Sequence, residues 1–154
     1  MQLKAKRGKN SWSYVPVAQN NLNLKTKNKH KKQYLNSGIP CKIHSCTKCC
    51  FETRMPLTNA DIKRIAKQGY RYKDFIIKRK SDRYLKNQKG KCVFLRDDGC
   101  KIYSFRPDGC RLYPLVYNET VDQAILHDFC PYEYMFKITR EDIDILKNLI
   151  KKLK

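Results

Sequence analysis

Three cysteines within five residues, Cys46-Thr47-Lys48-Cys49-Cys50, with Cys41 just upstream, constrain this chain more than any other stretch. Cysteine can serve singly as a small apolar core residue, but a cluster this dense reads as thiolates converging on a metal. Cys92, Cys100, Cys110 and Cys130 bring the total to eight in 154 residues. All eight are candidate metal ligands.

An even number of cysteines also suits disulfides, which need an oxidising compartment. The opening Met1-Gln2-Leu3-Lys4-Ala5-Lys6-Arg7-Gly8 has a basic start but no apolar region after it, so no secretory signal is expected. No apolar run of about 18 residues marks a membrane span. The expectation is a cytoplasmic protein with reduced, metal-ready thiols and no membrane contact.

Charge divides the chain unevenly. No Asp or Glu occurs before Cys41, whereas Lys4, Lys6, Arg7, Lys9, Lys25, Lys27, Lys29, Lys31 and Lys32 supply nine of the formal +20. Residues 1–38 therefore read as a basic, flexible arm, with one strand-like piece around Trp12, Tyr14 and Pro16. An excess of lysine attracts polyanions through counterion release, so nucleic acid or another polyanion is the partner class expected for the arm.

The rest, residues 39–154, predicts an α+β fold: a small metal-stabilised domain of short hairpins and helices that ends in an amphipathic helix. Leu57-Thr58-Asn59-Ala60-Asp61-Ile62 opens a helix with a capping box between Thr58 and Asp61, and Gly69 closes it. A second short helix is expected over Tyr72 to Lys80, then a charged loop or exposed edge from Lys78 to Lys91. Two apolar strands around Asp97-Asp98-Gly99 predict a hairpin with a three-residue loop. In that setting Asp97 and Asp98 are turn residues, not a catalytic pair. Pro107 starts a helical turn that aims Cys110 at the core. A second hairpin turns at Asn118-Glu119-Thr120. The last helix runs from Thr139 to about Leu153, with Ile143, Leu146, Ile150 and Leu153 as its buried stripe, backed by Ile145 and Leu149.

Spacing leaves the division of the thiols open. Neighbouring side chains on extended backbone point opposite ways, so Cys49 and Cys50 serve two sites, or one of them does not ligate, unless the chain turns sharply there. A three-residue hairpin loop would hold Cys92 and Cys100 roughly 13 Å apart along the strands, too far for one zinc. The alternatives are two sites, or loops wrapping one larger cluster. Cys46-x2-Cys49 is a zinc-type knuckle without a second one, and Cys130-Pro131 suits iron-sulfur ligation, so the cofactor is an iron-sulfur cluster or zinc. Arg106 and Arg111 are candidates for orienting a bound anion or for supporting thiolate sulfur. His44 and His127 read as loop histidines, and His30 belongs to the arm.

Cys46-x2-Cys49-Cys50, Leu57-Thr58-x2-Asp61, Cys92-Val93-Phe94-Leu95, Cys100-Lys101-Ile102-Tyr103, Arg106-Pro107-x2-Cys110-Arg111-x-Tyr113-Pro114 and a late Cys130 together resemble the CxxCxxCC cysteine-cluster family of zinc- or iron-chelating proteins. The family's first gap is C-x2-C. Here it is Cys41-x4-Cys46, which leaves Cys41 the least secure ligand. The resemblance implies metal binding. It also implies kinship with the domain found in flagellin lysine N-methylases, so an iron-sulfur enzyme of redox or methyl-transfer chemistry is one alternative, and a nucleic-acid-binding module with the cluster as scaffold another. The chain has no P-loop, no G-x-G-x-x-G, no H-E-x-x-H and no G-x-S-x-G.

Overall fold

A computed structural model describes residues 33–153. In chain order the elements are β1 (Gln33–Tyr34), α1 (Ile39–Ile43), α2 (Asn59–Ala66), α3 (Tyr72–Phe75), β2 (Ile76–Arg79), β3 (Asp82–Leu85), β4 (Asn87–Gln88), β5 (Lys91–Cys92), β6 (Leu95–Arg96), β7 (Gly99–Cys100), α4 (Asp108–Leu112), β8 (Leu115–Asn118), β9 (Gln123–Leu126), β10 (Phe136–Lys137) and α5 (Arg140–Leu153). Single 3-10 turns at Leu35–Ser37, Lys48–Cys50, Tyr103–Phe105 and Glu133–Met135 join them. The strands pair two by two, so the α+β class expected from the sequence holds. The Trp12 to Pro16 stretch lies outside the described residues.

The domain's first strand lies upstream of the boundary expected at residue 38. β1 pairs in parallel with β10, and Leu35 is buried in a core with Phe136, Leu115 and Leu146. Residues 33–38 are therefore part of the folded unit.

Two hydrophobic clusters form the interior. The first contains Leu57, Ile62, Ile65, Phe75, Leu85, Cys92, Phe94 and Ile102, and the second contains Leu35, Leu112, Leu115, Cys130, Phe136, Leu146 and Leu149. α2 forms as expected. Thr58 Oγ1 accepts the Asp61 N–H at 3.0 Å, an Asp61 carboxylate oxygen accepts the Thr58 N–H at 3.0 Å, and Gly69 closes the turn beyond the helix with φ +90°. α5 has the same reciprocal cap, between Thr139 and Asp142. Its buried residues are Leu146 and Leu149, and Ile145 is exposed. The stripe thus turns toward Leu149, because α5 packs on α4 and β8 together.

The helix expected over Tyr72 to Lys80 stops at Phe75. Ile76–Arg79 is instead a strand of a hairpin with Asp82–Leu85, turning at Lys80 and Ser81. β-branched Ile76 and Ile77 lose less freedom in a strand than in a helix, and the pairing carries Leu85 into the first core. The charged stretch beyond, expected as a loop or an exposed edge, is the rest of that hairpin and the β4–β5 pair. That pair turns at Lys89 and Gly90, both with positive φ. Such a two-residue turn matches the twist of the flanking strands.

Around Asp97 the register is Leu95 to Cys100 and Arg96 to Gly99, so the loop is the two residues Asp97-Asp98, with Gly99 already in the strand. Cys92 pairs with Asn87, not within this hairpin, and the continuous Cys92–Cys100 ladder expected from the sequence does not form. The β8–β9 hairpin has the expected place, with a loop one residue longer, Glu119 to Asp122.

Candidate metal centre

The thiols are placed by backbone bonds as much as by the cores. α1 begins at Gly38, whose φ is +62°, and the space a Cβ would need there is filled by the Tyr103 hydroxyl. Cys41 follows on α1. Ser45, at φ +46°, then reverses the chain, so that the Cys46 N–H donates to the Cys41 carbonyl at 2.9 Å. The two extra residues of the C-x4-C gap are taken up by this turn, and Cys41 and Cys46 stay together.

Cys49 and Cys50 sit in a 3-10 turn, with the Cys50 N–H on the Thr47 carbonyl at 2.9 Å. The backbone therefore does turn sharply here, and the Cys50 thiol donates a hydrogen bond to Cys49 sulfur. Just after it, the Glu52 N–H bonds the Gly90 carbonyl at 2.6 Å and Phe51 bridges to Lys91, which draws this turn to the strand carrying Cys92. Cys100 stands opposite Leu95 on β7. Cys110 rides on α4, where Gly109 leaves room for the Met55 sulfur. Cys130 is buried in the second core.

All eight cysteines are free thiols. Cys49 is their electrostatic hub: its charge raises the pKa of Cys41, Cys50, Cys92, Cys100, Cys110 and Cys130. Burial is the larger cause for most of these, and pushes Cys41 up to about 11 and Cys92, Cys100, Cys110 and Cys130 up as well. For Cys50 the bond it donates to Cys49 comes first, and that same bond, with help from Arg106, pulls Cys49 down.

Arg106 is the counter-charge. It is only 8% exposed, its guanidinium lies 3.9 Å from the Tyr103 ring centre, Nη1 donates to the Tyr103 carbonyl at 2.7 Å, and its charge lowers Cys41, Cys49, Cys100 and Cys110. Arg111 has another job. Nε donates to the Arg106 carbonyl at 3.2 Å and Nη2 to the Ser104 carbonyl at 2.8 Å, which props the loop that presents Arg106.

His44 is exposed and stacks on Tyr132 with ring centres 3.9 Å apart. His127 shares a 3.1 Å hydrogen bond with the Tyr113 hydroxyl, and burial lowers its pKa. Exposed Asp97 and Asp98 make the hairpin loop.

A hydrogen-bond network around Asp61 has no pattern in the sequence to announce it. Asp61, fully buried, does more than cap α2. Oδ1 accepts the Asp108 N–H at 3.0 Å and Arg64 Nη2 at 2.5 Å, and Arg64 Nη2 also reaches Asp108 Oδ1 at 2.8 Å and the Arg106 carbonyl at 3.1 Å. The Thr58-x2-Asp61 motif pointed to the cap but not to this second partner 47 residues away.

In chemistry the donor set fits a thiophilic metal: eight free sulfurs, half-buried to buried except Cys49, with an arginine to balance thiolate charge. In position the shell is gathered but not closed. Among the described residues no three side chains of Cys, His, Asp or Glu converge on a point that an ion could occupy.

Fold and site together define a small cysteine-cluster domain. The model of the CxxCxxCC family, described as a putative zinc- or iron-chelating domain, matches residues 40–131, and the chain belongs to that family. Neither a curated protein nor a solved structure matches the chain. No helix among the described residues is long and apolar enough to cross a membrane.

Proposed function

We propose that the domain holds iron, in an iron-sulfur cluster, or zinc on the thiolates of its eight cysteines, and that the metal's first task is to join the two hydrophobic cores. What supports this reading is the family match over residues 40–131 together with eight free thiols, one of them buried in each core. Ligation removes the thiol protons, so metal binding, folding and pH are coupled. Reduced thiols suit a cytoplasmic setting. Arg106 and Arg111 each donate to main-chain carbonyls, and nothing specific at the site favours redox or methyl-transfer enzymology.

The test is metal content and visible absorption of protein purified without oxygen, followed by melting before and after chelation. Iron with acid-labile sulfide and a brown colour marks a cluster; colourless protein with zinc marks a thiolate zinc scaffold. A metal-free chain with an unchanged cooperative melt would sink the structural role.

A second reading concerns partners. Lys48 lies 4.7 Å from the Phe129 ring centre and Lys91 5.4 Å from that of Phe51, and both rings are more than two-fifths exposed. Aromatic faces beside lysines stack on nucleotide bases, and the nine positive charges before Cys41 add attraction to a polyanion.

A further inference from the structure

We propose that the thiols form two separate four-sulfur metal centres, Cys50 with Cys92, Cys100 and Cys110, and Cys41 with Cys46, Cys49 and Cys130, meeting at the Cys49–Cys50 pair. This rests on the metal-binding reading above and divides the site that it describes.

Packing makes the division. Cys92 is buried in the first core, and Cys50, Cys100 and Cys110 pack against that same core. Cys130 is buried in the second, and Cys41 packs against it. No cysteine belongs to both. Cys46 is tied to Cys41 by its backbone bond to the Cys41 carbonyl. Cys50 is drawn toward Cys92 by the Glu52–Gly90 bond and the Phe51–Lys91 bridge.

Cys49 completes the second set because its neighbour Cys50 is held by the first. Four and four is also the number that the chemistry asks for, since a structural zinc and a four-iron cluster each take four protein thiolates. The sharp turn holds Cys49 and Cys50 side by side, and it is there that the two centres meet.

The experiment uses the full chain, reduced and free of oxygen, titrated with cobalt(II), whose bonds to thiolate absorb in the near ultraviolet and visible. The wild type should take up about two equivalents. Cys92→Ser and Cys130→Ser should each lose one and keep the other, and the double variant should lose both. Cys100→Ser and Cys46→Ser, at half-buried positions, repeat the test with less disturbance of the cores. Loss of all cobalt binding in either of these with an unchanged far-ultraviolet spectrum would overturn the division in favour of one shared centre. So would a wild type that saturates at one equivalent. A wild type that binds none would instead overturn the metal-binding reading itself.

Discussion

The Asp61 carboxylate accepts the backbone N–H of Asp108 at 3.0 Å, so the residue that caps α2 also fixes the start of the helix that carries Cys110. Arg64 closes the arrangement by bridging Asp61 and Asp108. Asp61 is fully buried, and an amide in its place would leave Arg64 and one backbone donor with poorer partners. Breaking a buried charge pair from one side costs about 3 kcal/mol. Asp61→Asn is expected to lower the unfolding free energy by that order, read from urea denaturation of the metal-loaded chain. A midpoint indistinguishable from wild type would mean that the network is ornamental.

Gly38 and Tyr103 make a second long-range pair. The glycine has φ +62°, where side chains are strained, and the Tyr103 hydroxyl fills the space of its missing Cβ. Gly38→Ala is therefore expected to destabilise by about 1–3 kcal/mol, since strain and overlap add. Tyr103→Phe removes the overlapping oxygen, so the double variant should recover part of the loss, a non-additivity that thermal melts of the four proteins measure. Strict additivity would show that backbone strain alone is at work.

What the sequence made legible follows from how local each signal is. The cap of α2 is written within four residues, and it forms. The β2–β3 hairpin was hidden because its turn uses Lys80 at φ +56° without a glycine or asparagine to announce it. The pairing of Ile76 and Ile77 with Leu85 and Tyr84 is visible only once Leu85 is seen to be buried. At the site, the cysteines announced themselves by density alone. The role of Arg106 did not, because what separates it from Arg111 is the Tyr103 ring it stacks on and its burial, neither of which has a sequence pattern. The C-x4-C gap read as a flaw, since spacing does not reveal that Ser45 turns the chain back.

Arg106 offers a direct test of electrostatic support. Its charge favours the thiolate at Cys41, Cys49, Cys100 and Cys110. Arg106→Met should weaken zinc binding at pH 7 by roughly 10–100-fold, the range found for groups that support metal ligands. Arg106→Lys should fall between, because it keeps the charge without the planar stack. Competition with a coloured chelator measures this. The gap should narrow toward pH 9 as proton competition fades, whereas a purely architectural role would leave it constant.

The metal-free chain should lose stability in alkali. Burial raises Cys41 from 9.0 to about 11, and Cys92, Cys100, Cys110 and Cys130 also lie above their ordinary value. Between the unfolded and folded pKa values the folded chain holds more protons, so the contribution is intact below pH 9 and is lost as pH rises through about 11 for Cys41. Cys49 runs the other way, alone against this group. Urea midpoints of the reduced, chelated protein should fall from pH 8.5 upward, roughly following these thiols. The loaded chain, whose ligands are already thiolates, should stay level there and weaken in acid, where protons compete with metal. Parallel pH profiles for the two forms would count against the thiols as ligands.

The proposed polyanion partner can be tested without harming the domain, because the structure shows where to cut. Removing residues 1–38 would take away β1 and the buried Leu35. Removing residues 1–32 deletes all nine basic residues of the arm and spares both. Each phosphate contact on a single strand adds about 0.7 to the slope of log affinity against log salt. If the arm supplies the affinity, the full chain should bind single-stranded RNA with a steep slope and the shortened chain should lose most of it. Phe129→Ala removes a stacking face but no charge, so it should weaken binding by about 1–3 kcal/mol and leave the slope unchanged. Equal slopes for the full and shortened chains would place the contact on the folded domain, with Lys48 and Lys91 as the first lysines to replace.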